Sequence, residues 1–250
     1  MTNNKIYFVA NWKMYGDVKS VNNLNKVINL SKKKLYKNSV IVYCPPFTIL
    51  DNFVNKFKKT RIYVGAQDCY SVNGFGAFTG NISAKQLKKI GVKYVIIGHS
   101  EKRNDGDTDK IIHKKIKNAL SENLTVILCV GETLQEKKNR QTTKIINSQI
   151  IKCLGNKINL KKIIIAYEPV WSIGTGVTPT INGIYNQILK IKNFVKKNYK
   201  FQNIKVLYGG SVNTKNIKYL SEIDKLDGFL IGGASQKVNK FIDIVKKTIN

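Results

Sequence analysis

Three side chains in this 250-residue sequence stand where acid–base chemistry on an anion would need them. Glu168 closes the apolar run Ile163–Tyr167 and is followed by Pro169. A carboxylate fixed at the end of a buried strand can remove a carbon-bound proton; the plainer alternative is a solvated acid. His99 ends the run Tyr94–Gly98 and is followed by Ser100 and Glu101. A short helical turn starting there aims its positive end at the ring and favours neutral imidazole; the alternative is a structural histidine. Lys13 follows the run Ile6–Ala10, with Asn11 just before it. Together they offer a fixed cation and a hydrogen-bond donor to an anionic substrate, against the commoner case of a strand-end lysine reaching solvent.

Glycine runs add a second kind of group. Gly209-Gly210-Ser211 and Gly232-Gly233 follow the last two apolar runs. Glycine lets the backbone approach a ligand and present its N–H groups. Two tight turns are the alternative, but their joint position after strands seven and eight of a barrel fits a phosphate site. The segment from Pro169 through Trp171 to Gly174-Thr175-Gly176 has a rigid start and a glycine-rich tip, which suits a hinged lid. Cys129 has no histidine near it in sequence and reads as a packing residue.

These residues need a frame that brings them together. Strand-length apolar runs recur at Ile6–Ala10, Val40–Cys44, Ile62–Ala66, Tyr94–Gly98, Val126–Val130, Ile163–Tyr167, Lys205–Tyr208 and Phe229–Ile231. Between them lie helical patterns such as Val18–Lys34, Ala84–Ile90, Lys110–Leu120, Ile181–Lys197 and Val238–Ile249, with Ser83, Thr108 and Thr180 at N-cap positions. Strand and helix alternating at about 30 residues per unit is the rhythm of parallel βαβ units. Eight units, apolar on both strand faces, predict a single-domain (β/α)8 barrel over residues 1–250; an open doubly wound sheet is the alternative. In a parallel barrel every strand ends at one mouth, so residues far apart in sequence converge there.

Composition narrows the class. The formal net charge is +28, from 43 Lys and Arg against 15 Asp and Glu. Lysine pairs recur on nearly every predicted helix and form no tail or single basic helix. That pattern reads as a solvated surface, with no specific nucleic-acid site. No apolar run spans a bilayer, and the N-terminal residues lack a signal-peptide pattern, so a cytoplasmic protein is expected. Four cysteines without a C-x-x-C pair, and only two histidines, argue for free thiols and against a metal site.

Five blocks carry a resemblance to a known family. They are Asn11-Trp12-Lys13-Met14, Gly98–Glu101, Ala166–Gly176, Tyr208–Val212 and Gly228–Ser235. In order and spacing they resemble the signature blocks of the triose-phosphate isomerases. The resemblance implies Glu168 as the base, His99 as the neutral electrophile, Lys13 and Asn11 as stabilisers of anionic charge, and Glu101 as their support. It implies a phosphate held by Gly174, Ser211, Gly232 and Gly233. That family is the standard case of a glutamate base and neutral histidine beneath a closing lid, so these roles are the resemblance's contribution. It implies interconversion of dihydroxyacetone phosphate and D-glyceraldehyde 3-phosphate in glycolysis and gluconeogenesis, with no metal or organic cofactor. It also implies a homodimer through the loop Ser71–Gly80. Departures fall at that contact: Lys102 stands for the usual arginine, Asn81 for a common acid, and the stretch Arg103–Asp107 is one residue short. Val177 replaces a common lysine at the lid's end. An aldolase is a rival, but the strands offer no interior lysine except Lys205, near a strand start. A nucleic-acid-binding protein on an old enzyme fold is the second rival, and it would bind RNA with steep salt dependence.

Overall fold

The computed structural model describes residues 5–156, 158–175 and 177–249. Eight parallel strands close into a barrel in sequence order. They are β1 (Ile6–Asn11), β2 (Ser39–Cys44), β3 (Tyr63–Ala66), β4 (Tyr94–Ile97), β5 (Thr125–Val130), β6 (Ile163–Tyr167), β7 (Lys205–Tyr208) and β8 (Gly228–Ile231). The helices are α1 (Asn25–Lys32), α2 (Leu50–Phe57), α3 (Ala84–Ile90), α4 (Ser100–Asn104), α5 (Asp109–Ser121), α6 (Leu134–Lys138), α7 (Thr142–Leu154), α8 (Ile181–Tyr199), α9 (Ile217–Ser221) and α10 (Val238–Ile249). The doubly wound alternative is set aside by the pairing of β1 with both β2 and β8.

Strand periodicity explains the two cores. Alternate residues point to opposite faces of a sheet. Val9, Val40, Val42, Ile96, Ile127, Cys129, Ile164, Ala166, Leu207 and Leu230 fill the barrel interior. The residues between them, such as Phe8, Ile41, Tyr43, Val95, Val126, Leu128 and Ile165, pack outward against the helices. Both faces are therefore buried, which is why the runs read as continuously apolar.

The helices start where their caps stand. Ser83, Thr108 and Thr180 accept from the backbone N–H groups of Gln86, Ile111 and Gly183. The segment expected as one helix over Val18–Lys34 is instead divided. A 3-10 turn spans Val18–Leu24, capped by Asp17, then α1 runs to Lys32, and a second 3-10 turn covers Lys34–Tyr36. Ser20, Asn22, Asn23 and Asn25 offer the backbone competing hydrogen bonds and loosen the first turns. Leu24, Val27 and Leu30 still form the buried stripe.

Lys205 sits at the opposite end of the barrel from the strand-end residues. Its ammonium pairs with Asp227 at 2.9 Å, so it is no interior nucleophile. Among the described residues, no helix is long and apolar enough to cross a membrane.

Candidate active site

Asn11, Lys13, His99, Glu168, Gly174, Ser211, Gly232 and Gly233 line one cavity of about 410 Å3 at the C-terminal mouth of the barrel. The loops after β1, β4, β6, β7 and β8 bring them there. Glu101 stands beside them through its contacts with Lys13 and His99. Gly176, the expected far end of the lid, lies outside the described residues.

Lys13 takes φ +55°, the left-handed region that a lysine seldom adopts. Its backbone is pinned on both sides. The Asn11 Oδ1 accepts from the Lys13 N–H at 3.1 Å. The Gln67 amide donates to the Lys13 carbonyl at 2.7 Å and to the Cys44 carbonyl at 2.9 Å. This conformation turns the side chain across the mouth, where its ammonium meets Glu101 Oε1 at 2.5 Å. Trp12, between them in sequence, points the other way into the core and donates from Nε1 to the Ser235 carbonyl at 3.1 Å. That bond ties the end of β1 to the loop after β8.

His99 caps α4, as the expected helical turn requires. The Glu101 N–H donates to His99 Nδ1 at 3.2 Å. A donor aimed at Nδ1 needs a lone pair there, so the neutral ring carries its hydrogen on Nε2. Glu101 Oε2 is 3.6 Å from the same nitrogen, too far to compete for it. Nε2 faces inward, 3.4 Å from Glu168 Oε1. Arg103 braces this strand end: its Nε donates to the Gly98 carbonyl at 2.8 Å while its guanidinium pairs with Asp109.

Glu168 is only 2% exposed, and its Oε1 has no hydrogen-bond partner. Burial pushes its carboxyl above the usual range, against the opposing pull of His99, Cys129 and Lys13. A partly desolvated carboxylate with a free oxygen is primed to accept a proton. Its position depends on Gly209, where a methyl group would stand 2.7 Å from Glu168 Cγ. Cys129 is buried nearby, and burial raises its thiol well above the ordinary value, which removes it as a nucleophile.

The turns after β7 and β8 complete the cavity wall. A 3-10 turn, Gly233–Gln236, opens at Gly232, and the Ser235 N–H and Oγ both donate to the Gly232 carbonyl. The leading N–H groups of such a turn have no intrahelical acceptor and suit an oxyanion. A methyl on Gly232 would lie 3.5 Å from Lys13 Cε, inside the cavity. Ser211 is held by Asn216, whose amide donates to its carbonyl at 2.8 Å.

The segment expected as a lid begins with a 3-10 turn at Val170–Ser172 and reaches Gly174 at φ +73°. Trp171 Nε1 donates to Glu132 Oε1 at 2.9 Å, and the Tyr167 hydroxyl approaches the same oxygen at 3.3 Å. Ser172 Oγ donates to the Val177 carbonyl at 2.6 Å and lies 3.4 Å from the Tyr208 hydroxyl. Sequence reasoning missed Gln67, Glu132 and Tyr208. Gln67 follows β3 as Lys13 follows β1, a strand-end position that was its available signal. Among the described residues, no group of three His, Cys, Asp or Glu side chains converges as a metal site.

A closed (β/α)8 barrel thus gathers a buried carboxylate, an imidazole, a lysine and two glycine-bearing turns at one mouth. A family profile described as triosephosphate isomerase matches residues 6–248. Triosephosphate isomerase of Neurospora crassa is 39% identical over 98% of this chain and 99% of its own length. That of Saccharomyces cerevisiae is 38% identical over 96% and 98%. The crystal structure of triosephosphate isomerase from Bartonella henselae superposes with a TM-score of 0.89 at 31% identity, covering 98% of this chain and all of that one. The chain belongs to the triosephosphate isomerase family.

Proposed function

We propose that residues 1–250 act as one catalytic domain, with Glu168, His99, Lys13 and Asn11 carrying the interconversion of dihydroxyacetone phosphate and D-glyceraldehyde 3-phosphate. The observation that supports this best is the buried Glu168 Oε1, unpartnered, 3.4 Å from His99 Nε2. Glu168 takes a proton from the hydroxyl-bearing carbon next to the substrate carbonyl. The C–H electron pair becomes the enediol double bond, and the carbonyl pair moves to oxygen. His99 donates its Nε2 hydrogen to that oxygen, and Lys13 with Asn11 stabilises the charge. The ring then takes the proton of the neighbouring hydroxyl as that oxygen becomes the new carbonyl, and the enediol pair takes the proton from Glu168 onto the former carbonyl carbon, which restores both His99 and Glu168. Glu101 holds Lys13 in place. Gly174, Ser211, Gly232 and Gly233 hold the phosphate, and lid closure over it excludes water. The chemistry calls for no metal or organic cofactor. A coupled assay with D-glyceraldehyde 3-phosphate tests the reading directly; absence of turnover by folded protein refutes it.

The phosphate cradle makes its own prediction. Gly232→Val places branched carbons against Lys13 Cε and fills the approach to the turn. KM is expected to rise more than kcat falls. Saturating 2-phosphoglycolate should raise the melting temperature of the wild type by linkage and do so far less for the variant. No melting shift in the wild type would count against a phosphate pocket.

A homodimer formed through Ser71–Gly80 fits the surface. Val72, Phe75 and Phe78 on that loop are exposed, as are Met14 and Tyr15 beside the catalytic lysine. The expected ion pairs across this contact have lost their charges within the subunit. Lys102 is already paired with Asp105, Asp107 with the buried Lys115, and Asn81 is neutral. Apolar burial, at about 25 cal/mol per Å2, then carries association against the repulsion of two +28 subunits. Salt screens that repulsion with a Debye length of about 8 Å at physiological strength. The dimer is expected to tighten as salt rises in a sedimentation series; loosening with salt would refute apolar assembly. Four buried, unpaired cysteines favour a reducing compartment, and we place the protein in the cytoplasm.

A further inference from the structure

Charge is divided unevenly between the two ends of the barrel. The strands are parallel and close in sequence order, so all eight begin at the end opposite the cavity. Within three residues of those starts stand Lys5, Lys37, Arg61, Lys93, Lys161 and Lys225, all exposed. Each helix of a βα unit returns to the same end, and Lys33, Lys58, Lys89 and Lys197 lie on or beside such last turns. The acids gather at the other end. Asp68, Glu101, Glu132 and Glu168 follow strands at the mouth, and Asp51 and Asp109 open helices there. Glu122, Glu222, Asp224 and Asp227 are the acids of the strand-start end. Of these, Asp227 is already held by Lys192 and Lys205, and Asp224 lies 3.4 Å from Lys225.

The lysines are scattered in sequence, and the topology collects them on one face. Their backbone is fixed: the Arg61 guanidinium donates to the Lys37 carbonyl at 2.6 Å, and the Thr125 N–H donates to the Lys93 carbonyl at 2.9 Å. The ammonium groups of Lys37, Lys93 and Lys161 carry no ion pair among the described residues. Leu35, Tyr63, Ile90 and Ile151 are exposed between these cations. A broad face that mixes cations with isolated apolar side chains suits lipid headgroups, which attract the charge while the apolar groups enter the headgroup layer. A single nucleic-acid strand would instead call for a groove with stacking aromatics. Here three of the four apolar residues are aliphatic, and the Tyr63 ring already packs on Tyr94 at 5.5 Å between centroids.

We propose that the strand-start end of the barrel docks on anionic lipid bilayers and leaves the cavity facing away into solution. The acids at the mouth disfavour the reverse orientation, because they would meet the headgroups with like charge. Once the protein is docked, cations more than about 8 Å from the headgroups are screened at physiological salt, so the near face decides the affinity. Each lysine or arginine close to an anionic bilayer strengthens partition about fivefold. The mouth stays open to small anions in this orientation, and a bound molecule keeps its turnover; that last clause alone rests on the reading of the cavity as a triose phosphate site.

The test is sedimentation of the full chain with vesicles of phosphatidylserine and phosphatidylcholine at physiological salt. Wild type should partition onto them, let go as salt rises, and ignore vesicles of phosphatidylcholine alone. Lys37→Gln, Lys93→Gln and Lys161→Gln should each weaken partition about fivefold, and the three together on the order of 10²-fold. A control carries the same loss of charge at the other end, as Lys110→Gln, Lys144→Gln and Lys215→Gln, from the first turns of α5 and α7 and the loop after β7. It should bind within about fivefold of wild type. Equal weakening of the two triple variants would overturn the proposal, since net charge alone would then explain the binding. A wild type that stays in the supernatant would overturn it too. Release from the vesicles by single-stranded RNA at equal charge concentration would assign the face to nucleic acid instead. Loss of turnover on binding would overturn the orientation, whereas a wild type inactive in free solution would overturn the functional reading and leave sedimentation to decide the docking.

Discussion

Replacing Glu168 by glutamine is expected to lower kcat by about 10²–10⁴, the range for loss of a general base, with the fold retained. The amide has the shape of the carboxylate but cannot accept the carbon-bound proton. The slot that holds the side chain is rigid, since it lies against Gly209 and is almost fully buried. The same burial gives the substitution a second, opposite effect. The native carboxyl is raised above its unfolded value, so ionisation favours unfolding. Below the unfolded pKa the acid is protonated in both states and adds no penalty. As pH rises through the folded pKa, the native protein must carry a buried charge and loses stability. Glu168→Gln removes that cost and should melt above the wild type at neutral pH, with the gap closing as pH falls toward the ordinary carboxylate range. The wild-type activity profile should show its acid limb above that range for the same reason. Near wild-type turnover in the folded variant would refute the assignment of the base.

How much of this was legible in the sequence follows from which forces are local. Strand-length apolar runs mark β1 through β8 to within a residue or so, because a strand buried on both faces leaves no polar position to confuse the pattern. Caps at Ser83, Thr108 and Thr180 were readable because a cap is one side chain bonding its own helix. The division of Val18–Lys34 was not, since it turns on asparagines choosing between backbone and solvent. Lys13, His99 and Glu168 were visible as polar residues at the ends of apolar runs. Gln67 and Glu132 act on partners 54 and 39 residues away, and nothing in their own neighbourhoods marks that distance.

The second large effect is expected from Lys13→Met, which should reduce kcat/KM by about 10²–10³ or more, the usual result of losing one donor to a developing oxyanion. Methionine keeps an unbranched stem in the place where Lys13 passes Gly232, and the left-handed backbone remains pinned by Gln67 and Asn11. The loss is therefore of charge and not of structure, and the melting temperature should change little. Glu101 forfeits its 2.5 Å partner, but at 57% side-chain exposure it is readily hydrated. KM should rise together with the fall in kcat, because Lys13 lines the cavity proposed to hold both the phosphate and the reacting carbons. The electrostatics supply a third readout. Lys13 is one of the charges that hold the Glu168 carboxyl down against burial. Without it that carboxyl rises further, so the acid limb of kcat/KM should move to higher pH in the variant. Steady-state kinetics across a pH series measure all three. A folded Lys13→Met with an unshifted acid limb and wild-type kcat/KM would show that the lysine stabilises neither substrate nor base.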